Sequence, residues 1–264
     1  MSGMRLATAV AIALSAYFVA VFLAQRWLLF PRPAPLASIV RPPDATQVWL
    51  ATDAGRVEAW HLPPLAMPEN PAPVIVFFHG NGEIIDFIAD DFEVPRSWGI
   101  AVLLVEYPGY GRSAGSPSQA SIASAALAAY DWVVSQPSLD RTRVIAYGHS
   151  LGGGAAAILS AERKIAALVL QSTFTSVKSF ARRFFMPEFS VLDPFESLPL
   201  VERYAGPVLV IHGEHDELVP KEHAVSLASS NPRSQLHWLR CGHNDCERPW
   251  QVIRAFLARG GVLR

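Results

Sequence analysis

The chain has 264 residues, 51% of them hydrophobic, with 22 basic and 23 acidic side chains and a formal charge of −1. That length supports one sizeable core with an appendage rather than two ordinary domains. No block of like charge supplies the basic footprint that phosphate binding needs, so a nucleic-acid partner is excluded.

Residues 6–24 are uncharged and almost wholly apolar, and at 1.5 Å per residue they reach roughly 28 Å, close to the hydrocarbon thickness of a bilayer. Residues 1–24 are read as an uncleaved membrane anchor. A cleaved signal or a buried core helix is the competing reading, and the poor cleavage site at Phe22, Leu23 and Ala24 counts against the first. Trp27 falls where an interfacial aromatic would sit. Arg5 precedes the run while Arg26, Arg32 and Arg41 follow it, a bias toward a cytoplasmic body. Cys241 and Cys246 pull the other way, because two neighbouring cysteines suit a disulfide and an oxidising compartment, with two unpaired buried thiols as the alternative. The reading leans to a single-pass protein of the cell membrane with its body on the extracytoplasmic side. Pro31, Pro33, Pro35, Pro42 and Pro43 make residues 25–45 an extended Pro-rich linker. The anchor is then a simple tether, and a body beginning at Thr46 is expected to stand without it.

From Thr46 onward, β-branched apolar runs alternate with helical patterns, the signature of βαβ units and a mainly parallel sheet. Residues 48–51 and 57–61 read as an opening antiparallel hairpin around Asp53, Ala54 and Gly55. Further strands are expected at 74–78, 101–106, 144–147, 167–171, 208–212 and 236–239, with helices near 119–135, 151–164, 222–229 and 249–258. The prediction is an α/β fold, a doubly wound, mostly parallel eight-stranded sheet over residues 46–264, preceded by one transmembrane helix.

Gly148, His149, Ser150, Leu151 and Gly152 match G-x-S-x-G at a strand-to-helix junction, where a sharp turn exposes a nucleophilic serine. The glycines avoid collisions between a Cβ and the adjoining helix and strand. Gly111 to Gly115 matches the same pattern, but Pro108 and Pro117 deny it the strand and helix it needs, leaving Ser113 a loop serine. A serine hydroxyl needs a base held by an acid, and in this fold the order is Ser, Asp, His. Asp216 and His243 follow the strands at 208–212 and 236–239, at the carboxyl ends where doubly wound sheets place their sites. Glu214, Glu217 and Asp193 are substitutes for the acid. The other histidines have no serine partner implied by that order. The turn at His79, Gly80, Asn81 and Gly82 follows a buried strand, so the backbone amides of Asn81 and Leu151 are the candidate oxyanion hole. A metal held by Cys241, His243, Asp245 and Cys246 is disfavoured, since four donors within six residues fold poorly around one ion. No cofactor is expected.

These motifs, with Glu106 to Ser113 and Gly242 to Asp245, resemble the α/β-hydrolase-domain proteins that include lysophospholipid and monoacylglycerol lipases and palmitoyl-protein depalmitoylases. The resemblance runs from about Val48 to the end and implies the α/β-hydrolase fold and a serine hydrolase. Two features depart from it: Glu106 stands where such proteins usually carry Asp, and cysteines flank the histidine loop. Residues 174–206 form the segment long enough to roof the site. Phe174, Phe180, Phe184 and Phe185 are expected to line an acyl pocket there, though they would serve equally to pack the roof onto the sheet. The preferred substrate is an acyl ester or thioester, a lipid met at the membrane. A peptidase of prolyl-oligopeptidase type and a catalytically idle membrane scaffold are the alternatives.

Overall fold

The structure, a computed structural model, describes residues 2–35, 41–66 and 71–263. Eight strands form one sheet: β1 (Thr46–Thr52), β2 (Gly55–Leu62), β3 (Ala72–Phe78), β4 (Ala101–Val105), β5 (Leu139–His149), β6 (Ala167–Gln171), β7 (Val208–Gly213) and β8 (Ser234–Leu239). Their order is β1-β2-β4-β3-β5-β6-β7-β8, antiparallel at β1/β2 and β2/β4 and parallel elsewhere. Every residue of β3, β4, β6 and β7 is buried, as a sheet covered on both faces requires. The helices are α1 (Ser2–Leu29), α2 (Glu93–Ser97), α3 (Gln119–Ser135), α4 (Leu151–Glu162), α5 (Ser197–Arg203), α6 (Glu222–Ser230) and α7 (Trp250–Arg259).

Alternate strand residues feed two cores. Val74, Val76 and Phe78 face the layer containing α3, α4 and α6, while Ile75 and Phe77 face Phe92 and the α7 residues Ile253 and Phe256. Small residues let α4 lie close to the sheet. A Cβ on Gly153 would meet Thr173 Oγ1 at 2.2 Å, and one on Gly154 would meet Phe195 at 2.7 Å. The chain leaves β3 toward β4 on one side and β5 lies on the other, so the sheet's switch point falls at the carboxyl ends of β3 and β5. Both candidate loops, at Asn81 and at Ser150, start there.

β5 begins at Leu139, five residues before the apolar run that marks it in the sequence. Its first half, through Asp140 and Arg141, is not apolar, and a register shift separates the Ala72 and Val74 pairings. The polar start hid it.

The amino-terminal helix is described as one continuous element to Leu29, five residues into the stretch read as linker. Gln25 and Arg26 interrupt the apolar run without interrupting the helix, because both bond the roof. Arg26 Nε donates to Asp193 Oδ2 at 2.7 Å, Leu192 N donates to Gln25 Oε1 at 2.8 Å, and Tyr17 OH donates to the Phe184 carbonyl at 2.9 Å. Phe30, only 1% exposed, ends the docked stretch against Phe195. The first part of the expected linker is therefore packed structure, and residues 36–40 at its centre lie outside the described residues.

Candidate active site

Ser150 joins β5 to α4 with φ 51° and ψ −116°, a conformation that costs a non-glycine residue about 1–3 kcal/mol. The surroundings hold it there. Ser150 N donates to the Gln171 carbonyl at 2.9 Å and Thr173 Oγ1 donates to the Ser150 carbonyl at 2.7 Å. A Cβ on Gly148 would lie 2.2 Å from Gly152 O, and one on Gly152 would lie 2.0 Å from Phe78 O, so both glycines of the motif are sterically required. Ser113, in the second match, accepts the Glu58 amide at 3.0 Å in a turn and has no histidine partner.

Ser150 Oγ lies 3.0 Å from His243 Nε2, and His243 Nδ1 donates to Asp216 Oδ2 at 2.8 Å. Asp216 Oδ1 accepts the Leu218 and Val219 amides at 3.0 and 2.7 Å, which fixes the carboxylate. Burial alone would raise the Asp216 pKa, but the His243 N–H and the Val219 amide outweigh it and hold the group below the usual carboxylate value. His212 also approaches Asp216 at 3.5 Å, yet it donates Nε2–H to the Val219 carbonyl at 2.9 Å, and burial lowers its pKa so that it stays neutral. Of the substitute acids, Asp193 is engaged by Arg26 and by Gln119 N, and Glu214 and Glu217 are exposed.

Asp216→Asn is expected to lower kcat/KM on a soluble ester by about 10²–10⁴-fold, less than loss of the serine, because an amide facing Nδ1 favours the wrong tautomer. The depressed pKa adds a stability signature. Its contribution is complete above the unfolded pKa of about 3.9 and fades as pH falls through the lower folded value. The stability gap between wild type and variant should therefore persist at neutral pH and close on acidification, as denaturation across pH would report.

Asn81 and Leu151 line the same cavity as Ser150. Leu151 opens α4, where the first amides of a helix lack intrahelical acceptors. A buried network fixes the Asn81 loop. Tyr110 OH donates to the Asn81 carbonyl at 2.9 Å, and Tyr107 OH donates to the His79 carbonyl at 2.6 Å. His79 sits between the Gly80 carbonyl at 2.7 Å and Glu106 Oε1 at 2.6 Å. Burial works against its charge, but Glu106 prevails and the pKa is raised. Glu106 also accepts the Ile85 and Tyr107 amides, so the residue that departs from the family pattern is the strut of this loop.

Sequence reasoning missed a second pair. His149, the variable residue of the motif, stacks on His243 with ring centroids 5.9 Å apart and meets Glu83 at 3.2 Å. Glu83 in turn accepts Gly80 N at 2.7 Å, linking the Ser150 turn to the Asn81 turn. Its pKa is strongly lowered: burial opposes ionisation, and His149 and the Gly80 amide overcome it. Cys241 and Cys246 are joined in a disulfide with Cα atoms 5.2 Å apart, closing the loop that carries His243. With both sulfurs bonded together and His243 engaged by Ser150 and Asp216, only Asp245 of the alternative metal set keeps a donor to offer, and no group of three or more such side chains occurs among the described residues.

Above Ser150 lies a cavity of about 280 Å³ with almost wholly apolar walls. Phe174, Phe180 and Phe184 line it. Phe185 does not: it is 80% exposed, at φ 52°, where the turn after residues 177–184 carries its ring away from the cavity. The remaining wall is α1. Val21, Gln25, Leu28 and Leu29 line the cavity, a contribution the reading of α1 as a tether concealed. Gln25 and Arg26, polar residues continuing a helical pattern past an apolar run, were the available signal.

The Hydrolase_4 family, described as serine aminopeptidase S33, matches residues 69–195. The α/β-hydrolase domain-containing protein WAV2 of Arabidopsis thaliana is 31% identical over 249 residues, covering 80% of this chain and 78% of WAV2. The lysophosphatidylserine lipase ABHD12 of Rattus norvegicus is 30% identical over 197 residues, 66% of this chain and 48% of the rat protein. An esterase of Pyrococcus furiosus superposes with a TM-score of 0.69 at 18% identity, covering 86% of this chain and 97% of the esterase, a match of fold. With the eight-stranded sheet, the strained serine turn and relatives aligned over most of its length, the chain belongs to the α/β-hydrolase-domain family.

Proposed function

We propose that this protein is a serine hydrolase that cleaves a carboxylic ester or thioester of an acyl chain through an acyl-enzyme on Ser150. The observation that carries the reading is the line Ser150, His243, Asp216 at the floor of an apolar cavity. His243 Nε2 takes the Oγ proton as Oγ attacks the acyl carbonyl, and the Asn81 and Leu151 amides receive the oxyanion. His243 then returns the proton to the leaving alcohol or thiol. Water, activated by the same ring, releases the acid and restores the serine. A rat relative named as a lysophosphatidylserine lipase supports an acyl-lipid substrate.

A peptidase reading draws on the description of the matching family model. A cavity for a peptide amino terminus needs a free anionic group, and the cavity-lining carboxylate Asp193 is engaged by Arg26. A panel of acyl esters of graded length beside aminoacyl amides is the test. Medium or long acyl esters are expected to exceed aminoacyl amides in kcat/KM by about 10²-fold or more. Preference for amides would replace the ester reading.

We place the body on the extracytoplasmic side, joined to the membrane through α1, on the strength of the Cys241–Cys246 bond and a helix (Gly3–Leu29) long and apolar enough to cross a bilayer. Reduction of the bond is expected to slow turnover about two- to tenfold by loosening His243, with restoration on reoxidation. Mass spectrometry of the unreduced protein checks the bond itself.

A further inference from the structure

The roof lies along α1 well inside the apolar run. If residues 6–24 are the hydrocarbon-spanning part, Tyr17 lies seven residues, about 10 Å, below its near boundary. Tyr17 OH donates to the Phe184 carbonyl at that level. Gln25 then meets Ser190 and Leu192, and Arg26 meets Asp193, so the roof follows the helix through its last three turns. Residues 3–16, the part free of the roof, reach only about 21 Å and cannot cross a hydrocarbon layer of about 30 Å alone. A helix that spans must take part of the roof into the bilayer with it.

The roof's surface suits that environment. Phe185 is 80% and Phe189 89% exposed, and Phe184 and Leu192 are nearly half exposed beside them. Singly exposed aromatics are ordinary, but a contiguous group adjoining an apolar helix marks an interaction face. Arg182, paired with Glu188 at 3.3 Å and 84% exposed, flanks the tip with a stem long enough to reach headgroup phosphates, while Arg183 lies over the Phe180 ring. Trp27, 71% exposed and one turn beyond the apolar run, lies at the interfacial level.

Resting on the lipid-ester reading above, we propose that residues 176–192 are sunk about 10 Å into the adjoining bilayer leaflet, a depth usual for interfacial segments. The seam between α1 and this roof is the door through which an acyl chain slides from the leaflet to Ser150. The cavity suits this route, since Val21 and Leu28 of α1 and Phe180 and Phe184 of the roof line it together with Ser150. The occupant of the exposed face is hydrocarbon of that leaflet, by continuity with α1. A chain entering sideways never crosses water, which would otherwise oppose its transfer with every methylene exposed.

The test uses the full chain reconstituted in phosphatidylcholine vesicles. Phe185→Cys and Phe189→Cys, each carrying a nitroxide under non-reducing conditions, are compared with Glu162→Cys at the exposed end of α4. Collisions with oxygen are expected to dominate those with a water-soluble nickel chelate at 185 and 189, and the reverse at 162. Nickel-dominated collisions at 185 and 189 overturn the proposal, as does spin–spin broadening that reveals a second copy on this face. The double variant Phe185→Ser, Phe189→Ser supplies a functional arm. It should keep turnover of a soluble short ester within about twofold and lose about tenfold or more on a long-chain ester embedded in vesicles, since two buried rings are removed. Unchanged turnover in vesicles overturns the door. Because the collision measurement is independent of catalysis, absent hydrolysis in the wild type would defeat the lipid-ester reading while the embedded roof is judged separately.

Discussion

Ser150→Ala is expected to abolish fluorophosphonate labelling and to lower ester hydrolysis by about 10⁴–10⁶-fold, while Ser113→Ala retains both. The contrast is sharp because both serines occupy G-x-S-x-G, so the sequence pattern is matched and only the three-dimensional setting differs. Ser150 faces His243 Nε2 at 3.0 Å, whereas Ser113 Oγ accepts a backbone amide at 3.0 Å and stands beside no base. Removing Oγ leaves the cavity and the Asn81 and Leu151 amides, the proposed oxyanion donors, intact, so residual turnover should reflect positioning and electrostatics alone. His243→Ala should cost about as much as the serine, since nucleophile and base act as a unit and their losses do not add. The melting temperature of Ser150→Ala should not fall; relief of the φ 51° conformation at this position is small, because alanine meets the same backbone strain. Equal loss in the two serine variants would defeat the assignment of the nucleophile.

The sheet and the candidate line of Ser150, His243 and Asp216 were legible for a physical reason. Buried parallel strands need continuous apolar runs, and a serine forced between strand and helix needs glycines where a Cβ would strike backbone, so both leave local marks. Asp216 and His243 were found by their places after β7 and β8, not by their spacing from Ser150. What the sequence concealed is what depends on distant partners. Nothing around Glu83 indicates that it will bridge Gly80 N and His149, since the three meet only when the β3 and β5 turns converge. Phe185 was misjudged because aromatic content reports burial in general, while one left-handed residue at the end of a turn decides which ring faces out. The start of β5 was lost to its polar residues, which fall in the register break between the Leu139 and Val144 pairings, where alternation carries no signal.

The misreading with the widest consequence was α1, and it leads to the opposite of the expectation for a body beginning at Thr46. Such a chain should melt about 6–16 °C lower than the full chain in detergent and lose about tenfold or more in kcat/KM on a soluble ester. Removing α1 strips Arg26 from Asp193, a carboxylate only 3% exposed that keeps the Gln119 amide as its sole other partner among the described hydrogen bonds. Arg26 is itself half exposed, so that loss is set at about 1–2 kcal/mol rather than the full cost of a buried pair. Loss of Phe30 from its buried seat adds about 2 kcal/mol. Together these give roughly 3–4 kcal/mol, a large part of the stability of an ordinary domain. The cavity also loses the wall formed by Val21, Gln25, Leu28 and Leu29, so an acyl chain bound there would face water on that side. A chain beginning at Val21 separates wall from anchor. It keeps the cavity wall, the Arg26 bond and Phe30 but lacks residues 1–20, so it should regain stability and soluble-ester turnover while staying weak on substrate in a bilayer. Should the body from Thr46 match the full chain in melting temperature and in kcat/KM on the soluble ester, α1 would be a tether after all and the docked helix would carry no catalytic weight.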